Sequence, residues 1–416
     1  MYFRFSLAGI LRGKVYCVNI CERKTTCGRG ITLDHLLTEE QRTIKELVRT
    51  IADEKIVPVR AEFDETGQFP WEIMKTLAET DMFRIFVPEE YEGLGGGCLD
   101  LCLVIEELSR ACAGIALCYA ASSLGTVALV KYGSHEQKQK YLPYIASGEK
   151  LAALSITEES AGSDPGGLKT TARKVDGGYL LNGNKLFVSN GGEAEIYSVL
   201  VLTDKTKGPR GASILLVEKD TPGFTFGRKE NKMGIRASAT RELVFEDCFV
   251  PEENLIGKEG QGFIITLSIF DESRPGIGSQ AVGIAQGALD AAIDYAKQRV
   301  QFGHPIISFQ AVQHLLADMA IQTEAARALN YAVARAIDAG TMKHSGESAM
   351  TKVHASDVAM KVTTDAVQIF GGSGYMRDYP VEKMMRDAKI TQIYEGTNQV
   401  LRNTIAAELR KKRGRN

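Results

Sequence analysis

The hydrophobic period of the chain changes twice, and those changes restrict the fold more than any other feature. From Thr38, apolar residues recur at three-to-four spacing (Leu47, Ile51, Ile56, Val59), and the same period returns at Trp71–Thr80, Leu99–Arg110 and Gln137–Ala146. That spacing predicts helices. At residue 151 it gives way to short β-branched or alternating runs, LLNGNKLFVSN, IYSVLVLTD, ASILLVEKD and RELVFEDCFVP, bounded by Gly, Asn and Asp. Such runs read as strands. After Gly262 the helical period resumes over 263–301, with a break expected near Pro275, then over 308–339, 346–370 and a last helix from about Thr397. The expected architecture is an α+β multidomain fold: an N-terminal α-helical domain at 32–150, a middle antiparallel β domain at 151–262 and a C-terminal four-helix bundle at 263–416.

The first 31 residues stand apart. Arg4, Arg12, Lys14, Arg23, Lys24 and Arg29 face a single acid, Glu22, with no helical period, which is the profile of a transit peptide or of a non-native leader. Fold reasoning therefore starts at residue 32. The formal net charge is -2, so nothing points to a nucleic-acid partner. No run reaches the roughly 18 uninterrupted apolar residues of a membrane helix. The eight cysteines are scattered, as expected of reduced thiols in a cytosol-like compartment. Cys98 and Cys102 share a helix face without a His or carboxylate cluster, and read as small buried hydrophobes. A bacterial cytoplasm is the expected location, with the mitochondrial matrix as the alternative.

Several chemistries are missing. There is no GxxxxGK[ST] and no GxGxxG, since Cys98 takes the last position of the Gly-rich turn EEYEGLGGGCLD. GGSGY around Ser373 misses the GxSxG elbow by one residue. The six histidines are far apart and lack HExxH. Carboxylates and a bound cofactor are left to carry any catalysis.

Five polar or Gly-rich stretches remain that neither a plain bundle nor a plain barrel requires: LSITEESAGSD (154–164), NGNKLFVSNGG (182–192), KQRVQFGHPIISFQAVQ (297–313), QIFGGSGY (368–375) and QIYEGTNQ (392–399). In this order they resemble the acyl-CoA dehydrogenase family, whose pattern is TEPxAGSD, W-[IV]-[ST]-N, R-x-x-F-G-x-P-I…FQ, Q-[IL]-x-G-G-x-G-[YF] and [IY]-Y-E-G-T. The resemblance spans Leu37 to Leu409. It implies a homotetramer that binds one FAD per subunit between the β domain and the bundle, and passes electrons to an electron-transfer flavoprotein.

By position in the motifs, Leu154, Ile156 and Thr157 would line the flavin, while Gly162 and Ser163 would approach the pyrophosphate or the CoA arm. Phe187 stands where the family has tryptophan, losing an indole N–H; on sequence alone it is an inward strand residue. Ser189 takes the flavin-facing Ser/Thr position. Arg299, Phe302 and Gln310 match positions that reach a neighbouring subunit's FAD, and Gln368, Gly371 and Gly372 match the segment at its adenosine end. Thr397, Asn398 and Gln399 match further flavin contacts. In IFDESRPGIG, Phe270, Asp271 and Arg274 match acyl-CoA contacts, as do Ser163 and Gly396.

Some relatives carry the catalytic glutamate at position 273. Here that residue is Ser273, and the adjacent Glu272 points about 100° away on a helix. The base implied is therefore Glu395, taking the α-proton of an acyl-CoA, with Gly396 turning the backbone and Thr397 capping the last helix. Local sequence looks most like short-chain, butyryl-type members, and the substrate the resemblance implies is a short- to medium-chain acyl-CoA, straight, branched or alicyclic, converted to the 2-enoyl-CoA. An oxygen-using oxidase and a flavin-containing lyase are the rivals on the same scaffold; the oxidases usually carry a longer C-terminal region. Ser122, Ser123 and the residues around Tyr119 read equally as pocket floor or as helix packing. No metal is expected.

Overall fold

The computed structural model describes residues 34–340 and 345–413; the expectations for the leader fall outside them. Helix α1 (Glu39–Ile51) starts where Thr38 and Gln41 exchange side-chain and backbone hydrogen bonds at 3.2 Å, a capping box. Short helices α2 (Arg60–Thr66) and α3 (Trp71–Glu79) follow. Next come α4 (Cys98–Tyr132) and α5 (His135–Ala146), the latter capped by Ser134 with Gln137. The expected segment Leu99–Arg110 is the first half of α4, which bends at Cys112, where the backbone is extended (φ −161°, ψ 109°). By length and mean hydropathy (1.7) α4 matches a membrane span, yet 83% of that apolar window is buried within the protein.

The middle unit is an eight-stranded sheet in the order β6-β7-β3-β2-β4-β5-β8, with β1 also on β4. Its strands are β1 (Ala152–Ser155), β2 (Thr171–Val175), β3 (Gly178–Ser189), β4 (Ile196–Leu202), β5 (Ala212–Glu218), β6 (Phe224–Lys229), β7 (Thr240–Pro251) and β8 (Leu255–Ile256). The sheet is mainly antiparallel. β4 is the exception, because it takes both β1 and β2 in parallel.

Helix α6 (Gly262–Gln298) runs unbroken through Pro275, against the expected interruption. A proline lacks the N–H that would bond the carbonyl four residues earlier. Here Ser348 Oγ donates to that carbonyl, on Asp271, and Asn330 Nδ2 donates to the Pro275 carbonyl at 3.0 Å. Side chains of neighbouring helices thus supply and absorb what the proline disturbs. A hairpin of β9 (Val300–Gln301) and β10 (His304–Pro305) leads to α7 (Gln310–Asp338), α8 (Ser345–Phe370), α9 (Val381–Thr391) and α10 (Asn398–Arg413). Helices α6, α7 and α8 pack on one another, α9 sits on α6 and α8, and α10 sits on α8.

α4 and α6 form the spine of the molecule. Gly283 and Gly287 of α6 lie so close to α4 that a Cβ would stand 2.2 Å from the carbonyls of Glu106 and Arg110. One hydrophobic core extends from Ile51 and Leu77 through Val199 and Leu243 to Ala285, Met319 and Val362. Tyr119, Ser122 and Ser123 are buried in packing: Tyr119 donates to the Met82 carbonyl at 2.9 Å, and Ser122 Oγ accepts from Ala152 N at 3.0 Å. Across the spine, buried Arg327 of α7 donates to Glu106 of α4 at 2.8 Å and to Gln286 of α6, while Tyr331 donates to the other Glu106 oxygen at 3.0 Å. Removing one partner of a buried ion pair costs about 3–5 kcal/mol because the other charge is stranded. Arg327→Met should therefore lower the unfolding free energy by about that amount, read by denaturant titration.

Candidate active site

Glu395 sits between α6 and α8. The turn after α9 puts it in the left-handed region (φ 55°), and Gly396 continues that path (φ 95°). Such a conformation is disfavoured for a residue with a side chain, so the surroundings must hold it. They do so at several points. Lys352 of α8 donates to the Gly396 carbonyl at 2.7 Å, Asn398 N donates to the Gln392 carbonyl at 3.0 Å, and Thr397 Oγ1 accepts from Val400 N at 3.2 Å to cap α10.

The carboxylate of Glu395 accepts a hydrogen bond from Ser273 Oγ at 3.1 Å. Burial lifts its pKa above the ordinary carboxylate range. Arg274, the Ser273 hydroxyl and Lys352 oppose that rise without cancelling it. Glu272 turns the other way and pairs with Lys131 of α4. Arg274, only 7% exposed, donates to Asp271 at 2.9 Å, lies over the Phe270 ring at 5.9 Å, and keeps a buried Nε without a partner. A buried guanidinium N–H without an acceptor is costly unless a ligand completes it. Among the described residues, the backbone N–H of Glu395 also has no acceptor. Phe270, Asp271, Ser273, Arg274, Glu395 and Gly396 thus come together in one place. Ser163 is exposed, on the loop after β1.

The proposed flavin residues fall into two groups. Leu154 lies in β1 and Ile156 and Thr157 just beyond it, all three half-buried; Leu154 and Ile156 pack in a cluster with Ile265 and Ile269, on the part of α6 that precedes Ser273. Their path is fixed by buried Lys185, which donates to the Ile156 carbonyl at 3.0 Å and to Glu158 at 2.8 Å. Leu186 N closes on the Thr157 carbonyl at 2.7 Å. Burial pushes the Lys185 ammonium down to about 8 despite its partner Glu158. The sequence reading missed Lys185, although it stands inside NGNKLFVSN.

Phe187 is not an inward strand residue. It lies at a β-bulge between Lys185 and Val188, with φ 58° and 63% exposure. The extra residue reverses the in-and-out alternation and turns the ring outward. Ser189, half-buried, pairs in register with Thr240. Asn398 lies within a hydrogen-bond network. It is 2% exposed, and its amide is taken up by Lys352, Ser356 and Asp357. Thr397, Asn398 and Gln399 do border a recess of about 280 Å³ that also includes Asp357, Gln392 and Arg402.

The second group is remote from this carboxylate. Arg299 follows α6, about 25 residues beyond Ser273, which at ~1.5 Å per residue is nearly 40 Å of helix. Gln368 is similarly about 24 Å along α8 from Lys352. Arg299, Phe302, Gln310, Gln368, Gly371 and Gly372 are all exposed, Phe302 at 90%. FAD fits the residues present. Gly162, Gly371 and Gly372 face open space, with nothing within 4 Å of where a Cβ would stand, as a backbone-lined anion site needs. Among the described residues no group of three or more His, Cys, Asp or Glu is arranged to hold a metal.

Three family models tile the chain: acyl-CoA dehydrogenase N-terminal domain over residues 38–149, middle domain over 153–248 and C-terminal domain over 260–410. The short-chain-specific acyl-CoA dehydrogenase of Clostridium acetobutylicum is 45% identical, over 91% of this chain and all of its own length. Acryloyl-CoA reductase (NADH) of Anaerotignum propionicum is 46% identical over 91% of this chain and 97% of its own. Among solved structures, butyryl-CoA dehydrogenase from Megasphaera elsdenii has a TM-score of 0.88 at 44% identity, covering 90% of this chain and 98% of that one. A chain in a structure described as the electron transferring flavoprotein of Acidaminococcus fermentans also reaches 0.88, at 47% identity over 90% and 98%. A partly desolvated carboxylate on a Y-E-G turn, the ordered set of segments around it and the match along almost the whole chain agree: this protein belongs to the acyl-CoA dehydrogenase family of oxidoreductases.

Proposed function

We propose that the protein is an FAD-dependent dehydrogenase of short-chain acyl-CoA thioesters that converts them to 2-enoyl-CoA. The observation that carries this reading is the Glu395 carboxylate, half-buried, raised in basicity and facing Ser273 and Arg274. FAD is the cofactor, held by residues 154–157, Gly162, Phe187, Ser189 and the 397–399 turn. When bound it would supply the two-electron oxidant that accepts the hydride lost from the β carbon. Glu395 takes the proton from the α carbon. A carboxylate in water is a feeble base for that task, and burial makes it stronger.

The thioester oxygen gathers negative charge as the α-proton leaves. The unpaired backbone N–H of Glu395 is the donor this chain offers to it, and a well-aimed donor at a developing oxyanion contributes about 3–4 kcal/mol. Arg274 and Ser163 are suited to hold the CoA portion. Support for a short acyl chain comes from the relatives named for butyryl and acryloyl substrates. The likeness to the Acidaminococcus chain supports an electron-transferring flavoprotein as redox partner. A reductase running the same step backwards would use the same residues, with direction set by that partner. The exposed group at Arg299, Phe302, Gln310 and Gln368–Gly372 serves a neighbouring subunit in a homotetramer; Tyr375 and Met376, also exposed, extend that face.

Anaerobic mixing with butyryl-CoA should bleach the flavin of the native protein. Glu395→Gln should keep its flavin yet slow bleaching by about 10⁴-fold or more, since the base is gone. Bleaching at the native rate in that variant would remove Glu395 from the mechanism. The base works only when ionised, so the native rate should fall on acidification through a pH above the ordinary glutamate value of about 4.3. Phe302→Asp, placing a charge in an apolar contact, should lower the assembly state in light-scattering measurements and release FAD in parallel.

A further inference from the structure

Lys352 is a buried cation for which the reaction above has no use. Its residue exposure is 0%, and a lysine is rarely enclosed without a task that repays its desolvation. It stands on α8, one residue from Thr351, whose hydroxyl donates to Asn330 at 2.7 Å. Its ammonium donates to the Gly396 carbonyl at 2.7 Å and to Asn398 Oδ1 at 3.0 Å. Asn398 Nδ2 in turn donates to Ser356 Oγ at 2.9 Å and to Asp357 Oδ1 at 2.8 Å, and Gln392 Nε2 donates to the same Asp357 oxygen at 2.7 Å. Both ends of the 392–398 turn are therefore fastened to a single turn and a half of α8.

This network acts on the one backbone conformation that the site cannot obtain from local preference. Glu395 and Gly396 are both left-handed, and the carbonyl bonded by Lys352 belongs to the second of them. We propose that Lys352 is the positioning residue of the catalytic turn: its two hydrogen bonds lock the left-handed bend that aims the Glu395 carboxylate. This rests on the dehydrogenase reading given above.

The charged groups facing Lys352 are Glu395 on the turn, Arg274 with its partner Asp271 on α6, and Asp357 on α8 itself. Burial is the largest influence and pushes the lysine down to about 7, with Glu395 and Asp357 working to keep it charged and Arg274 against. In return Lys352 favours the ionised form of Glu395. Removing the cation leaves the burial of Glu395 less opposed, so the proton on Glu395 is held to higher pH.

The test uses FAD-loaded Lys352→Met and Lys352→Gln proteins, with butyryl-CoA as probe, anaerobic stopped flow for the flavin-reduction rate and titration for the Kd. Lys352→Met should cut the reduction rate about tenfold or more while the Kd for butyryl-CoA stays within about threefold, because aim is lost and ground-state binding is not. Lys352→Gln keeps N–H donors without charge and should recover most of the rate. In both variants the acidic limb of the rate profile should move up by about half a pH unit or more.

A Met variant with native rate and native limb would overturn the proposal. So would a rate loss matched by an equal rise in Kd with the limb unmoved, or loss of flavin from both variants, either of which assigns a general structural role. Failure of the dehydrogenase reading is distinguishable, because it appears in the native protein as absence of bleaching, and it takes the proposal with it.

Discussion

Drawing one carboxylate out of water while surrounding it with groups that favour its ionised form is the constraint around which this structure is arranged. A lone buried carboxylate would take up a proton and lose its use. Glu395 is therefore given a measured set of partners: one hydroxyl on α6, one buried guanidinium that is already shared with Asp271, and one ammonium that bonds the adjoining carbonyl instead of the acid. Each favours ionisation, and none forms a direct ion pair with Glu395 among the described residues. The result is a carboxylate whose pKa stands above the ordinary range through burial, with three groups opposing the rise.

The rest of the fold supplies the scaffold for that balance. α6 has to carry Phe270 to Arg274 along one side of the site, remain continuous through Pro275, and press its glycines against α4 farther on. α8 supplies Ser348 to mend the proline's missing bond and, one turn later, Lys352 to hold the Glu395 turn. Two helices thus define the site from opposite sides, while Lys185 fixes the path of the segment that follows β1.

Much of this was legible in the sequence, for identifiable reasons. Long amphipathic helices announce themselves by period, so Gln310–Asp338 and Ser345–Phe370 fall within a few residues of the expected 308–339 and 346–370. The Y-E-G turn is singled out by its place in the ordered set of segments and by Ser273 at the alternative position; taken alone it reads as an acid in the turn before a helix. What the sequence hid is what depends on distant neighbours. Pro275 predicts a break unless Ser348 and Asn330 are known to be adjacent. The short helix Val381–Thr391 passed unnoticed, although Val381, Met384 and Ala388 recur at helical spacing just after Pro380. Phe187 followed strand alternation on paper, whereas a bulge displaced it. Lys185 and Lys352 are ordinary charged letters in polar surroundings, and only the folded chain reveals that both are enclosed.

The contact between Ser273 and Glu395 joins two points 122 residues apart in the chain. One place in the fold is thus reachable from either of two stretches of polypeptide, one helical and one in a turn, and it is the place where the proposed reaction would remove a proton. In such an arrangement the chemistry belongs to a location in space and is not tied to either stretch. A lineage with this scaffold has two doors into the same room, and it can change which one it uses while the floor plan stays as it is.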